Sequence, residues 1–231
     1  MQQDVVQDVR EEGVPTVAVA KIAIPTASSD LTTAPVWDEL VQQVVHCTAC
    51  DLAQGRSQTV FASGNPHADL LLIGEAPGPD EERQGEPLVG RPGNLLTRML
   101  AAIGLVREQV LIINVVKCRP SNNRDPRPQE IASCRHFMDA QIALAQPKVI
   151  GLLGRLAACA VLAQDAPLSV LRHQWHQVGG IPTYVTHHPS FLLRSPQQKA
   201  QSWQDLLQIK ARLDAVGGLD ATGAASFCPA S

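Results

Sequence analysis

Four short apolar runs, each followed by a segment with helical character, constrain the fold of this chain more than any other feature. The runs occupy residues 69–73 (DLLLI), 110–116 (VLIINVV), 148–153 (KVIGLL) and Ile181–Thr186 (IPTYVT). Unbroken apolar strands that alternate with helices are typical of a mostly parallel sheet covered by helices on both faces. We therefore predict an α/β fold with a strand at each run.

The intervening segments have helical spacing of apolar residues and recognisable end signals. We predict helices over residues 92–103, which Gly104 ends, over Pro128–Ala145 and over Arg155–Leu162. Ser195 is expected to cap a last helix that has Pro196 at its first position. Because ligands bind at the carboxyl ends of parallel strands, the loops that follow the four runs are the candidate site.

The charge of the chain is unevenly distributed. The 231 residues carry a formal net charge of −3, to which residues 1–35 contribute −3 and residues 214–231 contribute −2, so that residues 36–213 carry +2. We predict a flexible extension over residues 1–35, one domain over 36–213 and a flexible tail over 214–231. This charge argues against a simple polycationic nucleic-acid binder, and an aromatic content of 3% argues against a stacking-rich single-strand binder.

Targeting signals are not evident in the sequence. The chain contains no run of 18 apolar residues, and its first residues lack the basic segment of a signal peptide. We therefore expect a cytoplasmic protein that does not enter the membrane. In a reducing compartment, its six cysteines are more useful as metal or cluster ligands than as disulfides.

Four of the six cysteines are candidate ligands. Cys47 and Cys50 form a C-x2-C pair, which can present two thiolates to one metal centre, and Cys118 and Cys134 supply the other two sulfurs. The remaining two are expected to be a small core residue, Cys159, and an incidental tail residue, Cys228. The spacing alone does not distinguish zinc from an iron–sulfur cluster, and ordinary unliganded thiols are the alternative.

The loops after the apolar runs carry the least ordinary residues. Residues 74–78 (GEAPG) form a tight turn directly after the first run, and residues 187–190 (HHPS) follow the fourth. Asn114 lies within the second run, where its amide is either a hydrogen-bonded core group or a reader of a base. The acidic side chains of Asp80, Glu82 and Glu86 are expected to be solvated.

A local excess of basic residues occurs between residues 117 and 135. It is either a solvated loop or a set of phosphate contacts. The segment contains no phosphate-binding G-x-x-x-x-G-K-[ST] motif, and none occurs elsewhere in the chain, so the phosphate-loop nucleotide folds lose support.

Taken together, these segments resemble the family 4 uracil-DNA glycosylases, the iron–sulfur members of their superfamily. The resemblance covers residues 37–213, and it is carried by Cys47-x2-Cys50, GEAPGPDEE (74–82), GEPLVGRPGNLL (85–96), NVVKCRPSNNRDPRPQE (114–130), Cys134 and HHPSFLLR (187–194). It implies a three-layer α/β/α sandwich around a four-stranded parallel sheet, and hydrolysis of the N-glycosidic bond of deoxyuridine in DNA. It also implies a monomer that acts on uracil-containing DNA.

The resemblance implies a role for each matching residue. The cluster would be a structural [4Fe-4S] centre held by Cys47, Cys50, Cys118 and Cys134. The catalytic residues would be His188, Asn114 and Glu75. The uracil pocket would be formed by Glu75, Ala76, Pro77, Glu81, Leu88, Asn114 and His188. The DNA phosphates would be held by Ser190, Arg194 and Arg119.

Two positions depart from the family pattern. Ala76 stands where other members of the superfamily have an acidic residue that positions water, so a carboxylate base is not obvious. Leu88 stands where the family usually has an aromatic ring that stacks on uracil, and such stacking is worth about 1–3 kcal/mol. The second departure gives weight to an alternative, a protein that binds uracil-containing or damaged DNA without turnover.

These residues allow two further interpretations. A zinc-stabilised α/β hydrolase acting on a small nucleoside would use the same sulfurs and loops. Relatives that trap uracil-DNA covalently use a histidine in an inserted basic loop, and residues 119–130 contain no histidine. Covalent trapping is therefore disfavoured.

Overall fold

The computed structural model of the protein describes residues 36–217. Its strands are β1 (Ser63–Gly64), β2 (Leu70–Gly74), β3 (Val110–Asn114), β4 (Val149–Leu153), β5 (Trp175–Val178) and β6 (Ile181–Thr186). Its helices are α1 (Trp37–Val45), α2 (Leu52–Gly55), α3 (Pro79–Gln84), α4 (Gly90–Ala102), α5 (Pro128–Ala145), α6 (Arg155–Leu162), α7 (Leu168–Leu171), α8 (Pro189–Arg194) and α9 (Lys199–Ala215). The extension predicted for residues 1–35, and residues 218–231 of the predicted tail, lie outside the described residues.

All the strands belong to one sheet, in the order β1-β3-β2-β4-β6-β5. The four central strands are parallel, and they are the four apolar runs of the sequence. β1 and β5 pair antiparallel with their neighbours at the two edges. The prediction of a four-stranded sheet was therefore wrong by two edge strands, although the parallel centre was predicted correctly.

The missed edge strands have weak sequence signals for physical reasons. β1 has only two residues, too few to show a period. β5 (WHQV) is an edge strand of four residues, and its two apolar residues, Trp175 and Val178, are separated by two polar ones, so it shows neither an apolar run nor strict alternation. The two glycines that connect it to β6, Gly179 and Gly180, both have positive φ, as a two-residue hairpin turn requires.

Helices cover both faces of the sheet, so the three predicted layers are present. Side chains of α1, α5 and α6 pack with one set of strand residues, which includes Leu71, Ile73, Leu111 and Ile113. Side chains of α4 and α9 pack with the alternate set, which includes Leu70, Leu72, Val110 and Ile112. This alternation follows from the two-residue period of a strand.

Several predicted boundaries moved in the structure. α5 and α6 match the prediction, whereas α4 begins at Gly90 rather than at residue 92. The last helix begins at Lys199, after a 3-10 turn over Pro196–Gln198, and it ends at Ala215, inside the predicted tail. β3 ends at Asn114 instead of continuing to residue 116, so that Asn114 is the last residue of its strand.

The acidic segment after Gly78 also differs from the prediction. It forms α3 instead of an irregular loop, and Glu82 is only 8% exposed rather than solvated. The Glu82 carboxylate accepts hydrogen bonds from the backbone N–H of Ser57 (3.1 Å) and from Arg119 Nη1 (3.2 Å). None of the helices in residues 36–217 is long and apolar enough to cross a membrane.

One glycine of α4 determines how closely this helix approaches the loop before it. A Cβ added at Gly93 would lie 1.9 Å from the Leu88 carbonyl oxygen, which is backbone and has little freedom to move. We expect Gly93→Ala to lower the free energy of unfolding by about 1–3 kcal/mol, the usual cost of overpacking. Urea denaturation followed by circular dichroism measures it.

Gly55→Ala is the matched control, because a Cβ added at Gly55 meets no atom within 4 Å. Equal midpoints for the two variants would show that the approach of Leu88 to α4 does not require a glycine.

Candidate active site

The parallel strands bring the predicted site residues to one edge of the sheet. Asn114 ends β3, Glu75 follows β2, Gly154 follows β4, and His188 comes two residues after β6. A Cβ added at Gly154 would lie 2.5 Å from Glu75 Oε1 and 3.1 Å from His188 Cβ. Glu75 and His188 therefore pack against the same glycine, where any side chain would separate them.

Asn114 presents an unpaired donor inside the protein. The residue is 1% exposed, and its side-chain Nδ2 has no hydrogen-bond partner among the described residues. A Cβ added at Gly74 would lie 2.4 Å from Asn114 Oδ1 and 3.7 Å from Leu88 Cδ1, so the Asn114 and Leu88 side chains meet above Gly74. A buried donor without a partner costs about 1–3 kcal/mol, which a ligand acceptor would recover.

Hydrogen bonds from Glu81 and Arg107 hold the loop that carries Leu88. The Glu81 carboxylate accepts hydrogen bonds from the backbone N–H of Gly78 and from that of Leu88, the latter at 2.7 Å. Arg107 Nη2 donates to the Pro87 carbonyl oxygen at 2.6 Å. Both Glu81 oxygens are occupied by loop amides, so this side chain orients Leu88, which has a φ of 51° and is 1% exposed.

His188 is held as a neutral imidazole with one defined tautomer. Its Nδ1 accepts a hydrogen bond from the Ser190 backbone N–H (3.2 Å) and lies 2.7 Å from Ser190 Oγ. Burial, reinforced by the charge of Arg194, lowers the pKa of His188 to about 4. Because Nδ1 accepts, the proton of the neutral ring is on Nε2, which is free to donate.

The pKa of Glu75 is shifted in the opposite direction. Burial, and then the charge of Asp125, raise its pKa to about 7, although a hydrogen bond from the Leu156 backbone N–H and the charge of Arg194 act in the other direction. The carboxyl group is therefore partly protonated at neutral pH. Of its predicted companions, Ala76 is half-buried and Pro77 is buried.

The predicted phosphate contacts differ in their accessibility. Arg194 is exposed at the end of α8, and Ser190 is half-buried in its first turn. Arg119 is engaged within the protein, since it pairs with Glu82 and its Nε donates to Asn123 Oδ1 at 2.9 Å.

Much of the basic excess between residues 117 and 135 is also satisfied internally. Lys117 is buried, Arg124 forms a two-pronged pair with Glu130 (2.6 and 2.8 Å), and Arg135 pairs with Asp139 at 2.9 Å.

The four candidate cysteines line a single cavity on the α1 and α5 side of the sheet. All four thiols are free; Cys118 and Cys134 are buried, and Cys47 and Cys50 are half-buried. Burial raises the pKa of both buried thiols, that of Cys134 to about 11. Within residues 36–217, no three histidine, cysteine or carboxylate side chains are grouped so as to hold a single metal ion.

Two cations lie beside these sulfurs. Arg56 Nη1 donates to Cys118 Sγ at 3.2 Å, and Lys117 lines the same cavity while its Nζ donates to the Asn114 carbonyl oxygen at 2.7 Å. Lys117 is 1% exposed, and burial lowers its pKa to about 8. It therefore joins the cysteine cavity to the residue that presents the free amide.

Sequence patterns did not point to Arg56, Lys117 or Gly154 individually. Lys117 was predicted only as one of the basic residues between 117 and 135, either solvated or in contact with phosphate, and Arg56 was not singled out, because burial of a charge is not visible in a sequence. Gly154 follows an apolar run as Gly74 does, and this parallel position is the one signal by which it could have been found.

The chain is similar to known proteins of one superfamily. The family model described as the uracil DNA glycosylase superfamily matches residues 61–207. The type-4 uracil-DNA glycosylase of Archaeoglobus fulgidus is 38% identical over 180 residues, which are 74% of this chain and 90% of that protein. The type-4 enzyme of Thermotoga maritima is 42% identical over 157 residues, 67% of this chain and 81% of that protein.

A type-5 uracil-DNA glycosylase of Pyrobaculum aerophilum is more distant, at 25% identity over 187 residues that cover 67% of this chain and 82% of that protein. The family match spans most of the described domain, and the type-4 relatives are aligned over most of their own length. The resemblance seen in the sequence motifs is thereby confirmed, and the chain belongs to the uracil DNA glycosylase superfamily, among its type-4 members.

Proposed function

We propose that the protein hydrolyses the N-glycosidic bond of deoxyuridine in DNA, releasing uracil and leaving an abasic site for base excision repair. The observation that carries this proposal is the buried Asn114 amide, whose Nδ2 has no partner in the described structure. The names of the type-4 relatives state the same activity for those proteins.

Asn114 suits the edge of uracil. Its Oδ1 can accept from N3–H of the base while its Nδ2 donates to O4. Cytosine reverses both groups, because its N3 accepts and its N4 donates, so the Asn114 amide would face two mismatched partners. Reaching this pocket requires the nucleotide to leave the duplex, at a cost of roughly a few kcal/mol that is least for a mismatched base.

His188 suits the leaving group. As the bond to the sugar breaks, negative charge develops on the uracil ring and its O2. A neutral imidazole with Nε2–H can donate a hydrogen bond to that oxygen without being ionised first, and such preorganised donors act most strongly where water is excluded. The low pKa of His188, about 4, keeps this donor neutral at physiological pH.

Glu75 is the group that we assign to the sugar side of the reaction. When ionised, it would stabilise the positive charge that develops on the sugar and help to hold the attacking water. Ala76 and Pro77 would contribute backbone to the pocket wall, Leu88 would pack against the base, and Glu81 would fix the Leu88 loop. Ser190, Arg194 and Arg119 remain our candidates for contacts to DNA phosphates.

The four cysteines fit a [4Fe-4S] cluster. They are free thiols that share one cavity, and the neighbouring Arg56 and Lys117 would offset the negative charge of the thiolates. The cluster would cross-link the segment after α1, the segment after β3, and α5, and it would supply no step of the bond cleavage.

We also propose that the protein works as a monomer in the cytoplasm. The proposed use of four cysteines as cluster ligands, and not in disulfides, suits a reducing compartment.

The function is tested by release of uracil from a labelled duplex under single-turnover conditions. We expect the purified protein to release uracil from U:G pairs and not to release cytosine from C:G pairs. Asn114→Ala should reduce the rate on uracil by at least about 100-fold, because both base-edge hydrogen bonds are lost. His188→Ala should slow bond cleavage similarly while the affinity for DNA is retained.

Asn65→Ala is the matched control, because Asn65 is exposed and its side chain bonds only locally, to His67 N–H at 2.9 Å. Retained binding of U:G duplex without any release by the wild-type protein at enzyme excess would favour the binding-module alternative and overturn the enzyme.

The pH dependence of the single-turnover rate tests Glu75. Its raised pKa means that the carboxylate forms as the pH rises through about 7, so the rate should increase across this range and level off above it. The pKa of His188, about 4, lies below this pH range, so its titration should not change the rate there. Glu75→Gln should lower the plateau and abolish the increase, whereas Glu86→Gln, which alters an exposed carboxylate, should leave the profile unchanged.

Stability provides a second measurement of the same group. Because the pKa of the Glu75 carboxyl is raised in the folded state, the unfolded chain releases this proton at a lower pH than the folded protein does. The folded protein is therefore destabilised as the pH rises between about 4.5 and 7. The melting temperature of Glu75→Gln should therefore exceed that of the wild type above pH 7 and match it near pH 4. A pH-independent difference would contradict the assigned shift.

Ligand substitution tests the cluster. We expect the wild-type protein to be brown and to contain iron and acid-labile sulfide in equal amounts. Cys118→Ala should lose both together with solubility, because cluster binding and folding are coupled. Cys159→Ala is the control, since Cys159 lies outside the cavity and its Sγ contacts the Ala166 carbonyl oxygen. Zinc in place of iron, or a folded and fully active Cys118→Ala, would refute the assignment.

A further inference from the structure

A buried polar cluster lies behind the segment that carries His188, and none of the roles described above uses it. Its members come from the end of α7, the end of β6 and the interior face of α9, and each is at most 5% exposed: Arg172, Thr186, His187, Ser202 and Asp205. The surrounding side chains are those of the apolar core on the α9 side of the sheet, which includes Tyr184, Leu206 and Ile209.

Asp205 is the centre of this cluster. Its Oδ2 accepts hydrogen bonds from Arg172 Nε (3.0 Å), from Arg172 Nη2 (2.7 Å) and from Thr186 Oγ1 (2.7 Å). Its other oxygen, Oδ1, has no partner among the described residues. The carboxylate thus ties the last residue of β6 to α9 and to the segment after α7.

The next residue of the chain is held by the same cluster. Arg172 Nη1 lies 3.3 Å from His187 Nε2, and His187 Nδ1 lies 3.0 Å from Ser202 Oγ. Because a guanidinium group only donates, His187 Nε2 must accept, so the neutral ring carries its proton on Nδ1 and donates to Ser202. The pKa of His187 is lowered, mainly by burial, in agreement with a neutral ring.

The cluster also reaches the helix that follows His188. The His187 ring stacks on the Phe191 ring with centroids 5.1 Å apart and planes 14° from parallel. Phe191 lies in α8, whose first turn supplies the Ser190 N–H that fixes His188 Nδ1. Thr186 and His187 before His188, and α8 after it, are therefore anchored to the same buried groups.

Stability alone gives little reason to keep such a cluster. Burying an Arg–Asp pair costs several kcal/mol per ion, and apolar residues of similar volume are often as stabilising or more so. Directional hydrogen bonds fix one path of the backbone, which apolar packing does not do. At this place the path determines where His188 Nε2 points.

We propose that Thr186, His187, Ser202, Asp205 and Arg172 are positioning residues for His188, holding its Nε2–H in the direction of the leaving oxygen. This inference rests on the proposed glycosylase activity. Displacement of a catalytic group by about 1 Å can cost about 100-fold in rate, so loosening the cluster should slow bond cleavage even though none of its members touches DNA or uracil.

Thr186→Val tests the proposal with the least disturbance. The substitution keeps the shape of the side chain and removes the hydroxyl that donates to Asp205. We expect the single-turnover rate on a U:G duplex to fall by at least about tenfold. The affinity for a duplex with 2′-fluoro-2′-deoxyuridine, which resists cleavage, should stay within about twofold of the wild type. Thr186→Ser, which restores the donor, should recover the rate.

Thr183→Val is the matched control. Thr183 is equally buried in the same strand, but its hydroxyl donates to the nearby Ile181 carbonyl oxygen (3.0 Å) and not to the cluster. Its rate should be that of the wild type. Nitrogen-15 NMR of the histidine rings supplies a readout without catalysis: the resonances of His188 should shift or broaden in Thr186→Val and remain unchanged in Thr183→Val.

The outcomes separate this inference from the function on which it depends. A wild-type protein that releases no uracil would refute the function. An active wild type with an equally active Thr186→Val, or equal losses in Thr186→Val and Thr183→Val, would refute the positioning role alone. If Thr186→Val does not fold, Ser202→Ala, which removes the acceptor of His187 Nδ1–H, is measured in the same way, and an unchanged rate would again overturn the proposal.

Discussion

The parallel ladder β3-β2-β4-β6 is the constraint on which the rest of the structure depends. Its hydrogen bonds fix the register, so that Gly74 lies beside Asn114 and Leu153 lies beside Thr186. Because all four strands are parallel, they end at the same edge of the sheet, and each ends in, or is followed there by, a polar residue or a glycine. Backbone pairing therefore determines which residues meet at this edge.

The two faces of the sheet support this edge in different ways. On the α1 and α5 face, the cysteine cavity is lined by Lys117 and Cys118, which follow β3, and Lys117 Nζ donates a hydrogen bond to the Asn114 carbonyl oxygen. On the α9 face, Asp205 and Arg172 lie behind the end of β6. Each of the two residues that we propose to contact the base, Asn114 and His188, is therefore supported by buried charged side chains.

Sequence patterns predicted the repetitive part of this fold and could not predict its exceptions. The four central strands are unbroken apolar runs and α5 has helical spacing of apolar residues, so both were found. The short β1 and the edge strand β5 have no such pattern and were missed. Asn114 could be interpreted equally well as a core amide or a base reader. The choice depends on whether its Nδ2 finds a partner, which only the three-dimensional packing determines.

Desolvation shifts the pKa values of Glu75 and His188 in opposite directions, with different consequences for the proposed reaction. It raises the pKa of Glu75 to about 7 and lowers that of His188 to about 4, so each group tends towards its uncharged form. The proposed role of Glu75 needs the carboxylate, so its raised pKa restricts that role to neutral and higher pH, whereas the proposed role of His188 towards the uracil anion needs the neutral ring. A cationic imidazole would also stabilise the uracil anion, but burial at this position makes the charged form unfavourable. The neutral ring has its Nε2–H available to donate without being ionised.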